Sequence, residues 1–329
     1  MTRRILARVA QATVIFACAL QFSAVIAQDY PSHAVTMVVA YPPGGSVDLV
    51  ARLVAGRLSE QFGQKVIVDN IGGASGIIAT SKVIAAAPDG YTLQLASGRE
   101  INIAKLINPN VPYDGLRELT PISLAATTPM VLVGGSKLKT ESTFNDLIAT
   151  ARARPGQLTY STSGIGSPQH LVGELIKMRS GIDMTHIAYS GGPKGLMEVI
   201  GGQIDLSIIV LSSALPHINS GKLKAFGVTE ARRSKVAPNI PALAENKSLS
   251  DVDIGIWFGL LAPAKMPLPI VQRLNQYVIE ALKGPQVVAK LTGQGIAIVA
   301  SSPAEFQAYI QADTERYRKV VQAANIRAE

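Results

Sequence analysis

Residues 35–48, reading V-T-M-V-V-A-Y-P-P-G-G-S-V-D, constrain the fold more than any other stretch of this chain. Residues 35–41 form a short apolar run rich in β-branched side chains, which favours a buried strand. From Ser46 the pattern changes: Val47, Val50, Ala51, Val54 and Leu58 recur at intervals of three and four, so an amphipathic helix follows. Strand, turn and helix meet at residues 42–46.

Gly44 and Gly45 lack a Cβ and let a ligand approach the main chain closely. Ser46 is the expected N-cap, and the first N–H groups of a helix have no partner inside it. Those groups, at the positive end of the helix dipole, make an anion site. The loop matches neither the G-x-G-x-x-G dinucleotide fingerprint nor the G-x-x-x-x-G-K-S/T phosphate loop. Asp48 in the first turn would repel a polyphosphate, whereas a single carboxylate on the amides could coexist with it. A tight turn with Asp48 as a dipole-favoured residue is the alternative at this point.

The pattern recurs along the chain. A strand at 65–69 precedes the glycine-rich 72–76 and a helix over 78–87, and a strand at 91–95 runs into Ser97, Gly98, Arg99 and Glu100. Residues 123–127 are the expected crossover to a second series, opened by a strand at 130–133. Thr143 and Asp146 predict a capping box for a helix ending near Ala153. A strand at 158–161 enters Ser163, Gly164, Ile165, Gly166, Ser167 and Pro168, with Ser167 as N-cap and Pro168 at the first helical position. Tyr189 opens another glycine-rich turn after a strand at 184–188. Residues 232–253 read as a surface connection, 257–262 as the strand that brings the chain back, and the tail as mainly helical, with Ser302, Pro303 and Glu305 predicting a capping box for a helix whose apolar face is Phe306, Ile310, Tyr317 and Val321. Repeated β-α units predict an α/β fold with mainly parallel sheets whose carboxyl-end loops gather at one edge.

Residues 1–27 read as an export signal, with Arg3, Arg4 and Arg8 before an apolar stretch and small residues before Gln28. A lipobox around Cys18 is an alternative, opposed by the bulk of Phe16. Loss of the three arginines lowers the formal charge from +8 to +5 and removes the single cysteine, which fits a bacterial periplasm. The remaining basic excess is scattered, with no aromatic-studded stripe for nucleic acid. About 300 residues suffice for two lobes.

Two helix-opening glycine loops, one in each series, imply a carboxylate clamped between two lobes without any arginine. No G-x-S-x-G, H-E-x-x-H or phosphate loop is present, and the four histidines lack metal-ligand spacing, so neither a cofactor nor a metal is expected. Ser167 with His170 leaves open a secreted Ser/His hydrolase, although a capping serine with a first-turn histidine accounts for the pair as well.

The run Y-P-S-x-x-V-x-x-V-V-x-Y-P-P-G-G at 30–45, A-A-P-D-G-Y-T at 86–92, P-Y-D at 112–114, H-L-x-G-E-L at 170–175, A-L-P-H-I at 214–218 and W-F-G-L-L-A-P at 257–263 together resemble the Bug proteins, the periplasmic receptors of tripartite tricarboxylate transporters. The likeness covers essentially the whole chain after the export segment. It implies a two-lobed type II periplasmic-binding fold, with a discontinuous first domain at 28–126 and 254–329 and a second at 127–253. It also implies a monomeric receptor that takes a small carboxylate and serves integral-membrane permease subunits or, alternatively, a signalling partner. The pincer loops carried over are 42–48, with Pro43, Gly44, Gly45, Ser46 and Asp48, and 163–170, with Ser163, Gly164, Gly166, Ser167 and His170. Ser97, Gly98 and Tyr189 would line the cleft. The chain departs from the family where Arg99 and Glu100 replace neutral residues and where Ile208-Ile209-Val210 replaces a frequent Asp-Asn pair. The second departure favours a plain mono- or dicarboxylate over an amino acid. Arg99 would meet a second carboxylate or pair with Glu100 at the surface.

Overall fold

The structure, a computed structural model, describes residues 30–138, 140–141 and 143–327. The export segment 1–27, with Cys18 and its lipobox alternative, lies outside the described residues.

Among the described residues eleven strands form two sheets: β1 (Val35–Val39), β2 (Val66–Asn70), β3 (Thr92–Ala96), β4 (Leu119–Thr128), β10 (Ile256–Pro263) and β11 (Ala297–Ile298) build the first, and β5 (Met130–Gly134), β6 (Thr159–Thr162), β7 (Thr185–Ala188), β8 (Leu206–Val210) and β9 (Lys224–Val228) the second. Their orders are β11-β4-β10-β3-β1-β2 and β7-β6-β8-β5-β9. Because β10 is antiparallel to both β3 and β4, strands β1 to β4 run one way. Likewise β5 is antiparallel to β8 and β9, leaving β6 to β9 codirectional. The common direction of most strands in each sheet is therefore as predicted; β10 and β5, each the first laid down after the chain arrives from the other sheet, are reversed, as is the two-residue β11. Only Pro129 separates β4 from β5, far too little chain for the crossover that a parallel return requires.

Residues 123–127 belong to a ten-residue strand, β4, and are not merely a connection. Pro121 and the small polar residues hide that strand in the sequence. It tolerates the proline because its pairing with β10 shifts register between Leu260 and Leu261, the latter opposite Pro121. The two crossings are tied by Thr229, which is fully buried. Its N–H donates to the Met130 carbonyl (2.9 Å), its hydroxyl donates to the Ile254 carbonyl (2.5 Å), and its own carbonyl accepts from Ile254 N–H (2.8 Å). The connection 232–253 is pinned beneath its polar surface by Ile240, Ala242, Leu243, Leu249 and Val252.

Ten helices of the described residues pack on the sheets. In α1 (Ser46–Phe62), Val47, Val50, Ala51, Val54 and Leu58 are all buried, as their spacing predicts. They are followed by α2 (Ile77–Ile84), α3 (Ala104–Ile107), α4 (Phe144–Ala153), α5 (Pro168–Ser180), α6 (Gly192–Ile200), α7 (Leu211–Asn219), α8 (Leu268–Lys283), α9 (Pro285–Thr292) and α10 (Pro303–Ala323). The capping boxes predicted for α4 and α10 are both formed. Phe306, Ile310, Tyr317 and Val321 of α10 are buried against the first sheet. Before α3, residues Arg99–Ile103 wind into a π-helical turn that the sequence pattern does not announce.

Candidate functional site

The loop 41–48 joins β1 to α1. Gly45, rather than Ser46, is the N-cap, and its φ of −82° is ordinary extended backbone. Gly44 carries the left-handed turn, with φ +91°. Asp48 locks this loop: Oδ2 accepts from Gly44 N–H (2.9 Å) and Arg52 Nε (2.9 Å), and Oδ1 accepts from Asn70 Nδ2 (2.9 Å), which also donates to the Tyr41 carbonyl (3.0 Å). Burial works to raise the Asp48 carboxyl, but the bonds from Arg52, Gly44 and Asn70 outweigh it and hold it below the usual carboxylate value. Asp48 thus shapes the loop with oxygens committed to the scaffold. The first helix-closing bond runs from Leu49 N–H to the Gly45 carbonyl (2.9 Å), so the N–H groups of Ser46, Val47 and Asp48 have no acceptor inside α1.

The second loop follows β6 and opens α5. Ser167 caps the helix as predicted, its hydroxyl accepting from His170 N–H (3.2 Å), with Pro168 at the first position. His170 Nδ1 accepts from Gly166 N–H (3.2 Å), which fixes the ring as the neutral Nε2–H tautomer, and the ring stacks on His186 at 4.0 Å. Ser167 is fully buried. Its hydroxyl serves the cap and the ring nitrogen facing the loop is taken, which leaves a Ser/His hydrolase without support. Gly166, at φ +68°, lies where a Cβ would fall 2.1 Å from Ile107 Cδ1 of α3, so the two halves meet here.

Glu100 forms no surface pair with Arg99. It is fully buried, its carboxylate accepting from Ser97 N–H (2.8 Å), Ser97 Oγ (3.1 Å) and Tyr41 Oη (2.7 Å). Burial raises its carboxyl despite these bonds. Gly98 serves packing: a Cβ there would lie 3.0 Å from the indole nitrogen of Trp257.

A cleft of about 590 Å³ opens between the sheets. Pro43, Gly44, Gly45, Ser46, Asp48, Ser97, Arg99 and Ser163 line it. Its lining does not include Gly98, Gly164, Gly166, Ser167, His170 or Tyr189. Sequence reasoning missed Ser212 and Ser213 at the start of α7, Gln169 in α5, and the turn before α6, all of which line the cleft. The available signal was positional, since α6 and α7 also begin at strand carboxyl ends. Among the described residues no group of three His, Cys, Asp or Glu could hold a metal ion.

The stacked histidines set an acid limit on this loop. Burial holds His170 below the usual imidazole value, and burial with the neighbouring His170 and Lys177 takes His186 down to about 3. Below the ordinary imidazole value of about 6.5 the unfolded chain takes up protons that the fold refuses, so stability falls as pH drops from there toward 3. His186→Phe keeps a ring on His170 and is expected to flatten the decline in melting temperature between about pH 7 and 5. An unchanged slope would assign that decline to other groups.

The model of the tripartite tricarboxylate transporter family receptor matches residues 50–326. Protein BugT of Bordetella pertussis is 35% identical over 298 residues, covering 90% of this chain and 91% of its own. Among solved structures, Rpa4515 of R. palustris with adipate superposes with a TM-score of 0.83 at 33% identity, covering 91% of this chain and 99% of that one. MatC from Rhodopseudomonas palustris with bound malate does so with a TM-score of 0.80 at 28% identity, covering 88% and 99%. These matches, on a fold with two mainly parallel sheets flanking a cleft, establish that the chain belongs to the tripartite tricarboxylate transporter receptor family, whose members are periplasmic solute receptors and not enzymes.

Proposed function

We propose that this protein captures one small organic carboxylate in the cleft and delivers it to integral-membrane permease subunits of a tripartite tricarboxylate transporter. One observation carries the reading: helix openings from opposite sheets reach the same cavity, residues 41–48 before α1 and Ser163, Pro168 and Gln169 at the start of α5. Pro43, Gly44, Gly45, Ser46, Ser97, Arg99 and Ser163 face the guest, while Asp48, Gly98, Gly164, Gly166, Ser167, His170 and Tyr189 shape the wall. A carboxylate at the amino end of α1 gains roughly 0.3–2 kcal/mol from the helix dipole, and charge-assisted bonds from main-chain N–H groups add to it. The adipate and malate in the two related structures support this ligand class. The lobes comprise 28–126 with 254–329, and 127–253, and close about the crossings that Thr229 ties together. Residues 1–27 export the chain, which acts as a monomer in the periplasm.

Calorimetric titration with a panel of mono-, di-, hydroxy- and aminocarboxylates tests the reading, and one saturable site is expected. Gly45→Val is expected to weaken that site about tenfold, of the order of one lost hydrogen bond. It should leave the melting temperature unchanged, because a Cβ at Gly45 meets only open space. Absence of binding across the panel would refute the receptor, and full affinity in the variant would move the site elsewhere.

A further inference from the structure

Two arginines border the cleft, and they differ in their counter-charges. Arg52 is paired with Asp48 at 2.9 Å. Arg99 has no carboxylate within ion-pair distance among the described residues. Its guanidinium makes one described hydrogen bond, from Nη2 to Ser75 Oγ (3.1 Å), and its Nε is buried with no partner. Arg99 is half-buried, and a guanidinium partly withdrawn from water is favoured by an anion that supplies the missing counter-charge.

The surroundings place Arg99 with some care. Ala74 and Ser75 sit at φ +45° and +54°, a left-handed pair that non-glycine residues seldom adopt; the turn they make brings the Ser75 hydroxyl onto the guanidinium. From the second sheet, Gly164 leaves room for it, since a Cβ there would lie 3.2 Å from Nη2. Arg99 also opens the π-helical turn, a local winding that recurs at functional sites. The cleft wall also offers an apolar stretch, Ile209, Val210 and Ile256, beside the neutral polar Gln169, Ser212 and Ser213. A ligand ammonium would find no free carboxylate, because Asp48 and Glu100 are both held by the scaffold.

We infer that Arg99 receives a second carboxylate at the far end of the ligand, so that the receptor selects aliphatic dicarboxylates over monocarboxylates and amino acids. This rests on the reading that the cleft binds a carboxylate at the helix amino ends. Arg99 presents a planar fork of donors matched to a carboxylate, and the apolar wall accepts the methylene chain between the two charges.

The test is titration of the full chain, as wild type, Arg99→Gln and Arg99→Lys, with straight-chain diacids from butanedioate to octanedioate and the monoacid of each length. In the wild type at least one diacid is expected to bind about ten- to a hundredfold more tightly than its monoacid, the range for a charged hydrogen-bond pair. In Arg99→Gln the diacid should lose about ten- to a hundredfold more affinity than its monoacid, so that the ratio falls to near one, and Arg99→Lys should recover part of it. If both acids weaken together in Arg99→Gln, Arg99 is only a clasp between the halves and the inference is overturned. A wild type that binds acids without preferring any diacid overturns it too, while leaving the carboxylate receptor intact. If no acid of any kind binds, the receptor reading itself fails.

Discussion

Gly166→Val is expected to reduce ligand affinity about a hundredfold or more while leaving each half of the molecule folded. The reason is the place where Gly166 sits, at φ +68° and against Ile107 Cδ1 of the opposite half. A left-handed backbone costs an ordinary residue about 1–2 kcal/mol, and a β-branched one more. Forcing extra carbons into a filled contact costs about 1–3 kcal/mol in addition. Ile107 Cδ1 is the tip of a side chain and can swing away from a single methyl, so valine is the decisive substitution and alanine the milder one. The crowding acts where loop and helix touch across the halves, and the left-handed backbone strains the loop that must receive the guest. Calorimetry should therefore show the loss of affinity, with melting temperature much less affected. The double variant Gly166→Val with Ile107→Ala should recover the part due to crowding and retain the part due to φ. If the double variant binds no better than the single one, crowding at Ile107 plays no part in closure.

Asp48→Ala is expected to lower both stability and affinity. The residue is 3% exposed and its carboxylate accepts from three groups. Its loss removes the acceptor of Gly44 N–H and of one donor of the half-buried Asn70, at about 1 kcal/mol each because water reaches both, while the half-exposed Arg52 regains water and adds little. A destabilisation of about 1–2 kcal/mol should appear as a drop in melting temperature. Affinity falls with it, because Gly44 is held in place by the bond that is removed. Since the Asp48 carboxyl is held below its ordinary value, this contribution is complete at neutral pH and is lost only as pH falls from about 4 through the lowered folded value. Asp48→Asn keeps one acceptor and should fall between wild type and alanine. Loss of stability with full affinity would show that the loop binds its guest without being locked.

What could be read in the chain was what depends on near neighbours. The buried face of α1, the Ser167 cap with Pro168, and the boxes at Thr143 and Ser302 need only residues within a turn of each other. Asp48 shows the opposite case: its first-turn position was legible, but its lock depends on Asn70, 22 residues away. Glu100 beside Arg99 read as a surface pair until the fold brought Tyr41 over it from 59 residues upstream. Strand β4 was concealed because Pro121 is tolerated only through a register shift in its partner. The two glycine loops were legible as helix openings. That Gly166 meets Ile107 while Gly45 faces open space is a property of how the halves come together.

Trp257 is the chain's single tryptophan. Its indole nitrogen donates to Asp313 (2.9 Å), its ring meets Phe306 edge-on, and Gly98, the neighbour of Arg99, packs against it. The ultraviolet emission of tryptophan in this molecule therefore arises from one indole, rooted one residue from the guanidinium at the cleft. No second emitter dilutes its response, so the protein carries a native optical gauge of what happens at that wall.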